Sequence, residues 1–399
     1  MSISERVKSI APSLTLEITA KAKKMKAEGI SVIGFGAGEP DFNTPEYIIN
    51  SAKKALDIGF TKYTPASGTP ELKKAICEKF LKDNNLEYRP EQIVVSSGAK
   101  ASLYHAIASI INDGDEVIIP SPYWLTYPEL VKLAGGKCVY AKTEAKNGYK
   151  ITAKQLEETI TSKTKCLILN SPNNPTGAVY SLEELRAIAE VAKKANIFVI
   201  SDEIYEKLIY DGEKHYSIAS LSDYMKEHTI VVNGMSKSYA MTGWRIGYLA
   251  APSAIAKAIS SMQSHTSSNP NSIAQYASVT ALADSEGVEF INKMQKVFDE
   301  RRKLMIDMLK DVKGLKCITP KGAFYVFADV SSFYGKKFEG QEINGSLSFA
   351  DAALKRGVAL IPGVAFGEDN CIRFSYAISN EDIKEGLNRF IAFLGEIKW

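Results

Sequence analysis

The chain has 399 residues, of which 45% are hydrophobic and 24% charged, and its 49 Lys and Arg against 46 Asp and Glu leave a net charge of +3. That balance excludes the basic excess with which nucleic-acid binders neutralise phosphates, and no apolar run reaches the ~18–20 residues of a membrane span. The length suits about two or three domains, or one large domain with a satellite. In chain order, the first 45 residues read as a polar arm, a Lys/Ala-rich helix over 16–28 and a Gly-rich turn. From about 50 to 285, short β-branched apolar runs alternate with helix-period segments. Strands are predicted at 92–96, 116–119, 137–140, 166–169, 197–200, 229–232 and 245–249, with helices over 100–111, 182–195 and 254–264. Runs of unbroken Val, Ile and Leu mark strands buried on both faces. The pattern therefore predicts an α/β fold with a mostly parallel doubly wound sheet.

Beyond residue 290 the pattern changes. A long charged helix over 288–310 precedes short strands near 324–330, 358–361 and 371–375. This α+β arrangement predicts a smaller domain built from both chain ends. The expected division is 1–45 for the N-terminal arm and part of the small domain, 46–290 for the large domain and 291–399 for the small C-terminal domain. The five cysteines form no CxxC pair and the four histidines share no metal-ligand spacing, so neither a disulfide framework nor a metal site is expected. The opening MSISERVKSIAPSL lacks the layout of a secretory signal, which points to the cytoplasm.

Open parallel sheets bind ligands beyond the carboxyl ends of their strands. Five predicted strands deliver polar, aromatic or ionisable groups there. Ser97-Gly98-Ala99-Lys100 opens a helix, whose free amides and dipole suit a phosphate. Pro122-Tyr123-Trp124 brings a planar aromatic, and Asn173-Asn174-Pro175-Thr176-Gly177 a polar loop. Asp202 stands at the tip of an apolar run, where a cationic ring nitrogen stabilises a desolvated carboxylate. Lys237 follows another buried strand between Ser236 and Ser238, a setting that lowers an amine's pKa and makes it a Schiff-base nucleophile. Arginine is scarce, so Arg245 and Arg373 beside strands suggest bidentate anion recognition. Phosphate seat, stacking aromatic, carboxylate and amine together make the inventory of a pyridoxal phosphate site.

The ordered motifs extend nearly end to end. To those above they add Gly36-Ala37-Gly38-Glu39-Pro40-Asp41-Phe42, Lys62-Tyr63-Thr64, Ser201-Asp202-Glu203-Ile204-Tyr205, Gly243-Trp244-Arg245-Ile246-Gly247 and Ile372-Arg373-Phe374-Ser375. With these the chain resembles the class I/II aminotransferases of fold type I, in their bacterial aspartate aminotransferase branch. The resemblance implies pyridoxal 5'-phosphate as cofactor, held by Lys237 as a Schiff base, with Asp202 on its ring nitrogen. It further implies Tyr205 and Asn174 on the ring's phenolic oxygen, Trp124 on its face, and Gly98, Ala99, Ser236 and Arg245 around the phosphate. Tyr63 is expected to reach the phosphate of a neighbouring subunit in a homodimer with shared active sites. Arg373, with the Gly38 backbone beside it, is expected to grip the substrate α-carboxylate. Catalysis is expected of Lys237, Asp202 and Tyr205, in ping-pong transfer between an amino acid and a 2-oxo acid, with the small domain closing over the site and the arm as its lid.

Lys100 matches the residue associated in that branch with the distal carboxylate of aspartate or glutamate, leaving Trp124 and Asn174 as shared substrate contacts. Relatives that use prephenate tend to carry a basic residue just before Pro-Ser, where this chain has Ala11 ahead of Pro12-Ser13. Aromatic and alanine substrates stay open, as does a related pyridoxal phosphate lyase. Two other chemistries fail on motif grounds. Gly34-Phe35-Gly36-Ala37-Gly38 lacks G-x-G-x-x-G spacing. Ser97-Gly98-Ala99-Lys100 matches S-x-x-K but has no S-D-N or K-T-G companion.

Overall fold

The computed structural model describes residues 3–398, so Met1, Ser2 and Trp399 of the expected terminal segments lie outside the described residues. The central apolar runs pair into one seven-stranded sheet. Its strands are β1 (Ile93–Ser96), β2 (Glu116–Ser121), β3 (Lys137–Lys142), β4 (Thr164–Asn170), β5 (Phe198–Asp202), β6 (Thr229–Gly234) and β7 (Gly247–Ala250). They lie in the order β1-β7-β6-β5-β4-β2-β3. All neighbours are parallel except at β7, which runs antiparallel to β1 and β6.

Successive side chains of a strand point to opposite faces, and here each face is a core. Val94, Ile230, Val232 and Leu249 enter one apolar cluster, while Ile93, Val95, Val231, Tyr248 and Ala250 enter another. Helices cover both sides, as unbroken apolar strands require. Their ends are fixed locally. On Leu182–Ala195, for example, Ser181 and Glu184 cap each other's backbone amides and Asn196 closes the last turn at φ 54°.

The strand predicted from 245 begins instead at Gly247. A 3-10 turn over Thr242–Trp244 and left-handed Arg245 (φ 58°) precede it and break the extended backbone. Because β7 is antiparallel, its first residue lies at the carboxyl edge of its parallel neighbours, opposite Ser96 and Gly234. Arg245 thereby arrives at the same edge as the loops after β1 and β6.

A second sheet is wholly antiparallel: β8 (Lys316–Cys317), β9 (Tyr325–Asp329), β10 (Ile361–Pro362) and β11 (Cys371–Ser375), ordered β10-β11-β9-β8. The strand predicted over 358–361 divides between two partners. Val358–Ala359 pairs in parallel with Ile33–Gly34, and Ile361–Pro362 joins β11. Both chain ends therefore meet in this part of the fold. The helix Ser285–Leu309 runs unbroken through residues 290 and 291, burying Ile291, Met294, Phe298, Met305 and Leu309 at intervals that keep one face inward. From it Arg301 makes a fork to Asp41 at 2.7 and 2.8 Å, and Arg302 reaches Asp211 and Asp299. Among the described residues no helix is long and apolar enough to cross a membrane.

Candidate active site

At the carboxyl edge the backbone leaves little room. Gly98 has φ +88°, and a Cβ there would stand 2.1 Å from Arg245 Nη2. A Cβ on Gly247 would stand 2.1 Å from the Ala99 nitrogen. Two glycines thus let the start of helix Ala99–Ile110, the head of β7 and the Arg245 guanidinium occupy one spot. Arg245 is steadied by donating through Nη1 to the Thr242 carbonyl at 2.9 Å. Free amides beside a guanidinium and the Ser236 hydroxyl form an anion seat.

Asp202 ends β5 and is buried. Its carboxylate accepts from the Tyr127 hydroxyl at 2.7 Å and the Ile204 amide at 3.2 Å. Burial pushes its pKa up to about 6, against these hydrogen bonds and Lys237, which favour the ionised form. Lys237 lies in the single turn Met235–Ser238 after β6 and donates to the Gly38 carbonyl at 2.5 Å. Desolvation lowers its pKa to about 8; Arg245 and Arg373 add to that, while Glu39 and Asp202 oppose it.

Arg373, in the middle of β11, is fully buried. It donates to Asn174 Oδ1 at 2.9 Å and to the Gly36 carbonyl at 3.1 Å, while its buried Nε has no protein partner. The Asn174 oxygen is thereby committed, which leaves that side chain's amino group to face a ligand. Lys100 Nζ lies 5.1 Å from the centre of the Trp124 ring, and desolvation, then Arg245, lowers its pKa.

These groups surround one cavity of about 360 Å³. Of the residues singled out from sequence, Gly38, Ala99, Lys100, Trp124, Asn174, Asp202, Tyr205, Ser236, Lys237, Arg245 and Arg373 line it. Gly98 lies against Arg245 just outside the lining. Tyr63 is not part of it; its ring is 90% exposed. Tyr127, Asn170, Thr15 and Tyr325 line the cavity without having been singled out. Tyr127 could have been found one helical turn after Trp124, whereas Tyr325 sits in a strand with no local polar motif.

Behind Asp202, Glu203 accepts from Ser201, Ser217 and His215, and Glu206 is paired with Lys79. The ligand atoms of Glu203, Glu206 and His215 fall within 4.8 Å of one another. Burial pushes the Glu206 carboxyl up, but Lys79, His215 and Lys207 together outweigh it and hold Glu206 down at about 2.

Fold and cavity together define a class. The family model for aminotransferase class I and II matches residues 30–390, and the chain belongs to that family. An aspartate aminotransferase of Bacillus sp. (strain YM-2) is 50% identical over 396 residues, covering 98% of this chain and 99% of that protein. A probable aspartate/prephenate aminotransferase of Aquifex aeolicus is 45% identical, covering 99% of each. The crystal structure of the aspartate aminotransferase from Rhizobium meliloti superposes with a TM-score of 0.96 at 42% identity, over 100% of both chains. The fold is accordingly that of the fold type I aminotransferases.

Membership implies dependence on pyridoxal phosphate, and the residues present fit it. Four cationic side chains (Lys100, Lys237, Arg245 and Arg373) and one carboxylate, Asp202, line the cavity, an imbalance suited to a phosphate and a carboxylate substrate. A Cβ at Gly98 would fill the place of the Arg245 guanidinium.

Proposed function

We propose that this chain is a pyridoxal-phosphate-dependent aminotransferase that moves the amino group of aspartate or glutamate to a 2-oxo acid. The carrying observation is that Lys237, Asp202 and Arg373, from three distant stretches, line one cavity. When bound, the cofactor supplies an electron sink that acidifies the substrate Cα–H. Lys237 would anchor the cofactor and, as a free amine, would move the proton from the substrate Cα to the cofactor's aldehyde-derived carbon in one half-reaction and in the reverse direction in the other. A pKa of about 8 leaves part of its population neutral near pH 7, as a general base requires. Asp202 holds the proton on the ring nitrogen, and Tyr127 keeps its carboxylate aimed. Arg373 holds the α-carboxylate; the vacant Nε and the ties to Asn174 and Gly36 support that role. The Ala99 amide, Ser236 and Arg245 bind the phosphate, with Gly98 shaping the approach.

Lys100 is assigned to the distal carboxylate. Its partial desolvation and the surplus of positive charge support it, as do the names of the relatives. The functional unit in this reading is a homodimer that brings Tyr63 to the neighbouring phosphate. Supporting it, Tyr63, Leu56 and Ile58 are exposed, and Ile58 lines an open groove with Tyr47, Phe60, Tyr276 and Val279. The division at about 45 and 290 is supported by the seven-stranded sheet, whose strands all lie between 93 and 250, and by the pairing of Ile33–Gly34 with Val358–Ala359 outside it. A cytoplasmic location suits five free thiols.

The test is absorbance and turnover on the purified protein. A visible band that shifts with aspartate, and amino transfer to 2-oxoglutarate that Lys237→Ala abolishes while its circular dichroism is unchanged, is the expected result. A colourless protein that stays colourless with added pyridoxal phosphate, or full activity in Lys237→Ala, overturns the reading.

A further inference from the structure

Two tyrosines meet on the cavity wall from different parts of the fold. Tyr205 follows β5 at the edge of the large sheet, and Tyr325 opens β9 of the small one. Both are buried, and their hydroxyl oxygens lie 2.9 Å apart. Tyr325 has a second neighbour: the Arg373 guanidinium carbon stands 4.3 Å from the centre of its ring, a cation–π arrangement. One side chain therefore seats the carboxylate-gripping arginine on its face and touches Tyr205 with its hydroxyl. A phenylalanine would serve the first purpose equally well, so the buried hydroxyl asks for its own explanation.

A phenol has one proton to donate. If Tyr205 gives its proton to a phenolic oxygen of the cofactor, its own oxygen can only accept, and Tyr325 is the donor placed against it. The charged groups around Tyr205 do not take that place. Asp202 is an acceptor held by Tyr127 and Ile204, Lys237 lies 5.8 Å over the Tyr205 ring and donates to Gly38, and Arg373 donates to Asn174 and Gly36. Tyr325 itself faces Arg373 and Tyr205. Hydrogen bonds in such a chain strengthen one another.

We propose that Tyr325 is a positioning residue that couples the two ends of the site, its ring seating Arg373 and its hydroxyl completing a relay from Tyr325 through Tyr205 to the cofactor's phenolic oxygen. The inference deepens the function proposed above and rests on it.

The experiment uses the cofactor-loaded wild type, Tyr325→Phe, Tyr325→Leu, Tyr205→Phe and the Tyr205→Phe/Tyr325→Phe double variant. It reads the pH midpoint of the visible band and the dissociation constant of maleate, an unreactive dicarboxylate. Loss of the relay weakens stabilisation of the deprotonated phenolic oxygen, so the Tyr325→Phe midpoint rises by about half to one pH unit. In the Tyr205→Phe background the second substitution adds nothing, because the relay is already broken. Maleate affinity stays within about twofold in Tyr325→Phe, which keeps the ring, and falls about fivefold or more in Tyr325→Leu, which lacks it. A Tyr325→Phe titration that superimposes on wild type, a shift undiminished without the Tyr205 hydroxyl, or wild-type maleate binding in Tyr325→Leu overturns this inference alone. A wild type with no titrating band overturns the functional reading and this inference with it.

Discussion

Asp202 shows how a buried carboxylate at the cavity can oppose folding. Its native pKa of about 6 lies above the 3.8 of a free aspartate, so the folded cofactor-free chain binds a proton that the unfolded chain releases. The sign follows: this stabilisation is full below pH ~3.8 and is lost as pH rises through about 6, on the order of 2–3 kcal/mol in all. Thermal melts of cofactor-free wild type and Asp202→Asn between pH 4 and 7 should therefore diverge, the wild type losing ground as pH rises. Parallel curves would show that the carboxylate is not desolvated as described. Lys100 makes the converse case, a cation partly withdrawn from water beside Arg245 and gaining most from an anionic substrate. Its truncation to alanine should raise the KM for aspartate about 10- to 100-fold, the worth of a hydrogen bond to a charged group. Turnover of alanine should change far less. Steady-state kinetics on both donors decide it, and an unchanged preference for aspartate removes Lys100 from the distal-carboxylate role.

At the level of elements, the anion seat depends on two glycines that fail in different ways when substituted. Alanine at 98 meets the far end of the Arg245 side chain and a left-handed φ. The guanidinium can swing aside, so Gly98→Ala should lose about 1 kcal/mol of stability yet bind cofactor at least tenfold more weakly. Alanine at 247 meets the Ala99 backbone, which cannot swing. Gly247→Ala should lose about 1–3 kcal/mol or more as β7 and the helix separate. Denaturant melts and cofactor titrations on the pair separate the two effects, and equal losses in both assays would contradict the geometry. The same elements show what the chain discloses locally. β1, β4, β5 and β6 were legible because double-sided burial writes itself as unbroken Val, Ile and Leu, and the loop residues after them followed from sheet topology. Arg245 could be placed beside a strand at the cavity but not as a left-handed residue ahead of a late strand, because an antiparallel strand wedged between parallel ones leaves no local mark. Tyr127 and Tyr325 escaped notice because their partners, Asp202 and Tyr205, are 75 and 120 residues away, and a buried tyrosine reads as core until its hydroxyl is seen to be paired.

Across the whole molecule, the site is closed by contacts that span nearly the full chain. Arg373 bonds the Gly36 carbonyl, Arg301 clamps Asp41, and Ile33–Gly34 pairs with Val358–Ala359. The segment carrying Gly38 is thus fixed by the C-terminal part before any ligand enters, and Lys237 reaches across to its carbonyl. Tyr63 stands apart from this closure, a bare phenol outside its own cavity. If it serves the neighbouring site, each active site needs Lys237 from one chain and Tyr63 from the other, and complementation tests that directly. Lys237→Ala chains have no catalytic amine but an intact Tyr63, and Tyr63→Ala chains the reverse. Mixed, unfolded and refolded together in equal amounts, random pairing makes about half the dimers hybrid, each with one complete site, or about a quarter of all sites. Turnover in the mixture should rise well above the average of the two variants refolded separately and approach about a quarter of wild type. The gain should disappear if the two variants are mixed only after refolding and assayed before chains exchange. A mixture no more active than that average places Tyr63 outside the shared site, whatever the oligomeric state measured by sedimentation.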